Sequence, residues 1–530
     1  MPTKARGTTG EHRGDSMGVL VATIVIAGYA HSASAAWPFD LNFESLLVHR
    51  NPVWWLQLAS MMVLVFALHR CANVRQAIAL ALAFSTTWLV GTFWWLFISM
   101  HTYGGLPAPL AAIAVVALAL ALALYYGAAM ALYWHLRACS GLLRGLVFAA
   151  LWTMAELARG TWLTGFGWGA VGYTHVDGPL QSAIPWLGMY GVGVLAAWVA
   201  ASLAPHSGTV LTRAVAGLVL VLGGWFGAGQ SPAQDHWTES TGRLQVSLLQ
   251  GNIAQSEKFE ANSGVPMALQ WYADQLQSST SDVVVAPETA IPVLAQELPQ
   301  GYWELLERRF SQGEQAALIG IPLGNFSEGY TNSVLALLPG EKQPLRYDKH
   351  HLVPFGEFIP PLFKWFTRLM NIPLGDFSRG AIGQPSFSWK GQRLAAHICY
   401  EDLFGEELGA RFGEPELAPT VLVNLSNIAW FGNSVAIDQH LQISRMRAVE
   451  FQRPMIRATN TGATAAIDHR GRITHQLPPV TRGVLHANVE GRRGTTPYAW
   501  WVAHFGLWPL WCLGIAIVFI AAYARIARAR

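Results

Sequence analysis

The chain is 530 residues long, 52% hydrophobic and only 13% charged, where an ordinary soluble protein carries about 25% charged residues. A net charge of +3 without a basic cluster speaks against nucleic acid as a partner. The four cysteines, Cys71, Cys139, Cys399 and Cys512, show no CxxC or Cys/His metal spacing, and His350 and His351 are adjacent rather than one helical turn apart. Neither a metal nor another cofactor is expected.

Residues 1–17 are polar and predict a disordered tail, with Met17 as an alternative start. Seven apolar stretches follow, roughly 18–36, 52–69, 76–100, 107–134, 143–158, 184–204 and 213–230, and an eighth covers roughly 500–523. A membrane-spanning helix needs about 20 mostly apolar residues, so an eight-helix membrane domain is predicted. The fifth stretch is short and carries Glu156 near its end. The first ends in a cleavage-like Ser32–Ala36, but it is long for a signal peptide core and more spans follow, so it reads as an uncleaved span. Short-loop charges set the orientation. With the N-terminus in the cytoplasm, Lys4, Arg6, Arg13, Arg70, Arg75, Arg137, Arg144, Arg213, Arg525, Arg528 and Arg530 fall on that side, against Arg50 and Arg159 opposite. Both termini are then cytoplasmic and residues 231–498 lie outside.

Residues 231–498 hold most of the acids, amides and turn residues. Short apolar runs predict strands at Leu244–Leu249, Val283–Ala286, Ala317–Ile321, Val334–Leu338, Leu394–Cys399, Thr420–Asn424, Pro454–Ala458, Ala463–Ile467 and Val484–Val489, with helices at roughly 264–279, 301–312 and 434–451. This alternation argues for a layered α/β fold with its chemistry at strand ends. Glu288 follows one strand, Cys399 ends another, and Lys349 precedes a Pro/Gly-rich turn. A thiol, a carboxylate and an ammonium so placed are the parts of an acyl-transferring site. Singly, each has a plainer reading: a small buried hydrophobe, a solvated turn acid, a surface base. An unpaired thiol in an oxidising compartment nevertheless favours a reactive role. Asp438, His440, Arg445 and Arg447 on the last predicted helix read as a structural polar face.

The ordered set Ala286-Pro287-Glu288-Thr289, then Tyr347-Asp348-Lys349 through Pro354-Phe355-Gly356-Glu357, then Ile398-Cys399-Tyr400-Glu401 resembles the nitrilase superfamily, whose Glu, Lys and Cys occur in that order. Asn424-Leu425-Ser426-Asn427, Ala429-Trp430-Phe431-Gly432, Arg457 to Gly462 and His101 to Leu110 are similar to its membrane-bound branch, the apolipoprotein N-acyltransferases. One departure stands out: Phe259 occupies a place where that branch often has tryptophan. The resemblance implies a nitrilase-like α-β-β-α sandwich over residues 231–498, inserted between membrane helices seven and eight. Residues 18–230 would form the first seven helices, and residues 499–530 the eighth helix and a basic tail.

The resemblance also implies roles. Cys399 is the nucleophile, Glu288 its proton acceptor, and Lys349 the stabiliser of the oxyanion, with the backbone N–H of Tyr400 as a second donor. Glu357 and Glu401 support them, by holding Lys349, relaying a proton or positioning an amine. Phe259, Trp365, Phe366 and Trp430 are candidate substrate contacts read from the residues, although the Trp430-Phe431 pair reads first as core packing. Residues 358–374, rich in apolar aromatics with Lys364 and Arg368, predict a short mobile arm that dips into the outer leaflet. The implied donor is a phospholipid, usually phosphatidylethanolamine. The implied acceptor is the α-amine of diacylglyceryl-cysteine in an apolipoprotein, in the last step of lipoprotein maturation at the bacterial inner membrane, with the catalytic domain in the periplasm. Two rivals remain from the residues alone: a membrane-tethered amidase acting on a soluble amide, and a non-catalytic lipid-binding scaffold.

Overall fold

The computed structural model describes residues 11–40, 47–139, 141–205, 207–227, 237–325, 327, 329–359 and 377–529. The N-terminal part is helical: α1 Glu11–Ala33, α2 Trp54–Arg70, α3 Val74–Phe93, α4 Ala108–Leu136, α5 Gly141–Thr161, α6 Ile184–Leu203 and α7 Val210–Gly227. The first helix thus begins inside the stretch expected as a tail. Among the described residues, five helical stretches are long and apolar enough to cross a membrane: Val74–Phe93, Ala108–Leu136, Gly141–Thr164, Gln181–Leu203 and Trp508–Arg528. Gly18–Ala33 and Val210–Trp225 are apolar but shorter. Along α4, Leu110, Ile113, Val116, Leu120 and Leu124 are all exposed, a continuous aliphatic stripe of the kind that lipid covers.

Two predicted spans differ in detail. The stretch 76–100 ends as a regular helix at Phe93 and continues as a short turn, Leu96–Ile98, and a π-helical turn, Ser99–Tyr103. The stretch 500–523 is broken into α11 Pro497–Phe505 and α12 Trp508–Ala529, hinged at Gly506 with φ 54. The α11 side chain Tyr498 packs into α6 where Gly188 has φ 67. A Cβ there would lie 2.1 Å from the Tyr498 ring, so only glycine allows both the bend and the approach.

The described residues between 238 and 494 form two six-stranded sheets: β12 (Gly483–Gly494), β1 (Thr238–Gln250), β2 (Val283–Ala286), β3 (Ala316–Asn325), β4 (Gly329–Leu337) and β5 (Leu345–Asp348) in that order, and β11 (Ile473–Gln476), β10 (Ala465–Ile467), β9 (Met455–Thr459), β8 (Val421–Ser426), β7 (Gln392–Ile398) and β6 (Phe387–Trp389). The strands that position the site are β2 Val283–Ala286, β4 Gly329–Leu337, β5 Leu345–Asp348, β7 Gln392–Ile398 and β8 Val421–Ser426. The centres are parallel, β1 (Thr238–Gln250) with β2 and β3 (Ala316–Asn325), and β7 with β8 and β9 (Met455–Thr459). Residues of both sheets, among them Val246, Val285, Ile398, Val423 and Ile456, fill the space between them. Helices α8 Gly264–Ser278 and α9 Tyr302–Ser311 cover the first sheet through Leu269, Tyr272, Leu306 and Phe310. Helix α10, Ala436–Phe451, covers the second. The result is a nitrilase-like α/β sandwich. Three short strands carry no apolar run and were not expected: Leu345–Asp348, Phe387–Trp389 and Ile473–Gln476. The first pairs at an edge and the last is exposed throughout.

The fourth layer is unusual. Every residue of α10 is buried, and its core is continuous with that of α2 through α6. Its polar side chains find partners in the helical part. Gln439 Oε1 accepts from the indoles of Trp95 at 3.2 Å and Trp168 at 2.8 Å. Glu450 Oε1 accepts from Met189 N at 2.7 Å, and Arg445 pairs with Asp177. Buried polar groups are mostly hydrogen-bonded, and here the partners come from the helical part, so these contacts weld the sandwich to the helices. The polar face read from the sequence is structural, but it faces protein rather than water.

Candidate active site

Three strand ends meet between the sheets. After β2 the chain turns through Pro287-Glu288-Thr289, with Glu288 buried. After β5 comes Lys349, 1% exposed. After β7 comes Cys399, which keeps an accessible edge and opens a 3-10 turn, Cys399–Leu403. Its φ of 51 is left-handed, a conformation that costs a non-glycine residue about 1–3 kcal/mol. The Cys399 carbonyl accepts from His440 Nε2 at 3.2 Å and Asn424 Nδ2 at 3.4 Å, which offsets that strain.

The ions form a compact cluster. Lys349 Nζ lies 2.9 Å from Glu357 Oε1 and 3.4 Å from Glu288 Oε1. Asn332 Nδ2, from β4, donates to both of these oxygens at 2.7 Å. Glu288 Oε2 accepts from Asn427 N at 2.8 Å, and Glu357 Oε2 from Val353 N at 2.8 Å. Burial alone would lower Lys349, but Glu357 and Glu288 outweigh it and hold the ammonium well above the ordinary lysine range. Desolvation, and then Glu288, push the Cys399 thiol up to about 12, against the pull of Lys349 and the Ser426 hydroxyl. The resting sulfur is therefore a thiol, and it needs a base at the moment it reacts.

Glu401 sits behind this cluster. It accepts from Tyr347 Oη at 2.9 and 2.8 Å, His350 N at 2.7 Å, His351 N at 3.2 Å and Ile398 N at 2.6 Å. It ties the Lys349 loop to the end of β7, which leads to Cys399, and its oxygens are fully engaged. The Tyr400 hydroxyl donates to Gly165 O at 3.0 Å, and His351 Nε2 lies 2.8 Å from Thr164 O. The loop after α5 thus touches residues beside both Cys399 and Lys349.

Of the expected substrate contacts, Phe259 is half-buried on the loop after β1. Trp430 is half-buried too and meets Tyr103 edge-on at 5.9 Å, while Phe431 packs on Trp95 at 4.3 Å. Trp365 and Phe366 lie outside the described residues, as does most of the predicted arm 358–374. Among the described residues no group of three or more His, Cys, Asp and Glu converges as metal ligands would.

The sequence did not single out Lys258, Asn332, Ser426 or Asn427 individually. Lys258 is 1% exposed; burial lowers its ammonium to about 7, opposed by Glu288 and Cys399. A signal existed for Asn427, within Asn424 to Asn427. For Asn332 the only sign was an amide in an apolar strand.

Residues 45–202 match the family described as apolipoprotein N-acyltransferase N-terminal domain, and residues 245–498 match carbon-nitrogen hydrolase. A solved nitrilase-superfamily structure, Nit3 of Saccharomyces cerevisiae, is similar at 16% identity and TM-score 0.35, over 47% of this chain and 91% of that one. The apolipoprotein N-acyltransferase of Verminephrobacter eiseniae is 54% identical over 505 residues, 91% of this chain and 92% of its own length. That of Ralstonia nicotianae is 42% identical over 486 residues, 90% of this chain and 91% of its own. With relatives this similar along nearly the whole chain, and both halves matched, the chain belongs to the apolipoprotein N-acyltransferase family.

Proposed function

We propose that this chain moves an acyl chain from a phospholipid to the N-terminal α-amine of diacylglyceryl-cysteine in lipoproteins, through a thioester on Cys399. The observation that carries the reading is the cluster of buried Glu288 and Lys349 with half-buried Glu357 beside the Cys399 thiol. In the first half-reaction Cys399 Sγ attacks the ester carbonyl while Glu288 takes the thiol proton. Lys349 Nζ and the backbone N–H of Tyr400, in the first turn of a helix where N–H groups lack intrahelical partners, stabilise the oxyanion. The intermediate collapses, the C–O bond breaks, and the lysophospholipid leaves as an alcohol with the proton from Glu288. In the second, the lipoprotein amine attacks the thioester and gives a proton to Glu288. The C–S bond breaks, the thiolate recovers that proton, and an amide is formed.

Glu357 keeps Lys349 charged and aimed, and Glu401 fixes the Lys349 loop against Cys399. Phe259 and Trp430 are the proposed substrate contacts, the latter at the seam between sandwich and helices. Phosphatidylethanolamine is the proposed donor. The proposed topology counts α1 through α7 and α12 as eight spans of the bacterial inner membrane, with residues 231–498 periplasmic and both termini cytoplasmic. The eleven-to-two bias of Lys and Arg toward one side of the short loops supports it.

The test is intact mass after incubation with phosphatidylethanolamine vesicles. Wild type gains one acyl chain on Cys399, loses it on adding a diacylated lipopeptide, and Cys399→Ala gains none. An unmodified wild type, or an acylated alanine variant, would overturn the mechanism.

A further inference from the structure

Glu288 is gripped by its backbone as well as by its carboxylate. The grip comes from the loop after β1, where Lys258 is buried while its neighbours Ser256, Glu257 and Glu260 are exposed. The Lys258 ammonium donates to Glu288 O at 3.1 Å and to Thr289 Oγ1 at 2.6 Å. Burying an ammonium is unfavourable unless its protons are bonded, and here two of the bonds go to the turn that carries Glu288. That turn needs holding, because Thr289 has φ 48, a conformation rare for a β-branched residue.

Two further contacts close the grip. On the other side of the turn, a Cβ on Gly320 would lie 2.2 Å from Pro287 O and 2.8 Å from Glu288 Cα, so the turn is wedged against bare backbone. From the same loop as Lys258, Gln255 Oε1 accepts from Asn427 Nδ2 at 2.9 Å, and Asn427 N donates to the Glu288 carboxylate at 2.8 Å. The loop itself is anchored by Asn460, whose Oδ1 accepts from Ile253 N at 3.0 Å and whose Nδ2 donates to Ile253 O at 2.8 Å. One loop therefore reaches both the main chain and the side chain of the general base, and it carries Phe259 next to the gripping lysine.

We propose that Lys258 is a positioning residue for Glu288: its ammonium locks the Glu288–Thr289 turn so that the carboxylate meets the Cys399 thiol. This rests on the reading of Glu288 as the base. The lysine does not touch the reacting atoms; it acts through the turn. A buried cation needed only for packing would sit in the same place, so the experiment must separate the two.

The measurement is the single-turnover rate of acyl-enzyme formation by the full-length protein on phosphatidylethanolamine vesicles, read by intact mass. Lys258→Met should slow it about 10–100-fold, with half-saturating lipid changed less than about threefold, because the loss is one of alignment. Lys258→Arg, which donates to the same two oxygens, should recover most of the rate. In a Glu288→Gln background, adding Lys258→Met should change the residual rate less than about twofold, the non-additivity expected of residues acting through one another. Equal losses in both backgrounds, or a Lys258→Met enzyme at full rate, would overturn the proposal while leaving Glu288 as base. A Glu288→Gln enzyme at full rate would instead remove the base, and Lys258 with it. Should Lys258→Met not fold, Thr289→Val removes one acceptor of the same ammonium. It should slow the step by a smaller factor, and a full rate there would overturn the proposal equally.

Discussion

The two sheets of the sandwich face each other across the site but have different outer faces. The first sheet supplies Glu288 and Lys349, and its covering helices turn a polar face outward, as in α9, where Glu304 is exposed and Leu306 and Phe310 are buried. The second supplies Cys399, and its covering helix α10 has no exposed residue, being clamped between sheet and membrane helices. The proposed base and oxyanion donor thus stand on a half built like a soluble protein. The proposed nucleophile stands on a half whose core is continuous with that of the apolar helices. His440 makes the link concrete: its ring stacks on Trp168 at 5.6 Å, and its Nε2 bonds the Cys399 carbonyl.

The largest test of the comparison removes chemistry from each half. Cys399→Ala should abolish acyl-enzyme formation. Glu288→Gln should slow it about 10²–10⁴-fold, the usual worth of a positioned base. Lys349→Met should cost about 10²–10³-fold, the usual worth of one oxyanion donor. Stopped reactions analysed by mass give all three, and a normal adduct in either first-sheet variant would show the roles misassigned.

Next in size is stability. Glu450→Ala leaves the Arg447 guanidinium, 3.0 Å away, and the Met189 N–H without their buried partner, which should destabilise the protein by about 3–5 kcal/mol. Glu304→Ala on the water-facing side of α9 should stay within about 0.5 kcal/mol. Thermal melts in detergent read both. Equal effects would mean that the second sheet is no more tied to the helices than the first is to solvent.

A pH profile sharpens the electrostatic side. With the thiol pushed up to about 12, the thiolate fraction climbs with pH across the whole accessible range. Alkylation of Cys399 by iodoacetamide should therefore rise about tenfold per pH unit between roughly 7 and 10. A plateau near neutrality would mean a thiolate at rest, and Glu288 would then not be needed to make one.

The strands that lead to Glu288 and Cys399 were legible in the sequence because parallel strands buried on both faces read as plain apolar runs. Glu288 and Cys399 stand at the ends of such runs. The edge strands were not legible: Leu345–Asp348 and Ile473–Gln476 are short and polar, as edges tend to be. Burial of α10 was hidden because its Asp, Gln, His, Arg and Glu residues look like a solvated face until the partner helices are in place. Glu357 and Glu401 looked alike as acids beside the motif. Their difference lies in whether the accepted hydrogen bonds include those of Lys349 and Asn332, as in Glu357, or come from Tyr347 and the backbone of His350, His351 and Ile398, as in Glu401, which depends on the fold of the Lys349 loop. Lys258 gave no signal, since an isolated lysine in a polar loop reads as exposed.

The smallest expected effect concerns the seam where substrate would meet the first sheet. The Phe259 ring centre lies 5.9 Å from Lys258 Nζ, within the range of a cation–π contact, and tryptophan makes such contacts better than phenylalanine. Phe259→Trp adds aromatic area and an indole donor without altering the loop's anchors at Ile253 and Gln255. It should change the lipid concentration at half-maximal rate by less than about threefold, and the rate at saturation less still, because half-exposed contacts of this kind are worth about 0.5–1 kcal/mol. Phe259→Ala should weaken lipid or lipopeptide binding more than it slows chemistry, since the grip on Glu288 runs through Lys258 and Gln255 rather than through the ring. If Phe259→Ala instead lowers the saturating rate as steeply as Lys258→Met, the aromatic ring belongs to the alignment of the base. The first sheet would then couple substrate occupancy to catalysis as tightly as the second couples the nucleophile to the membrane helices.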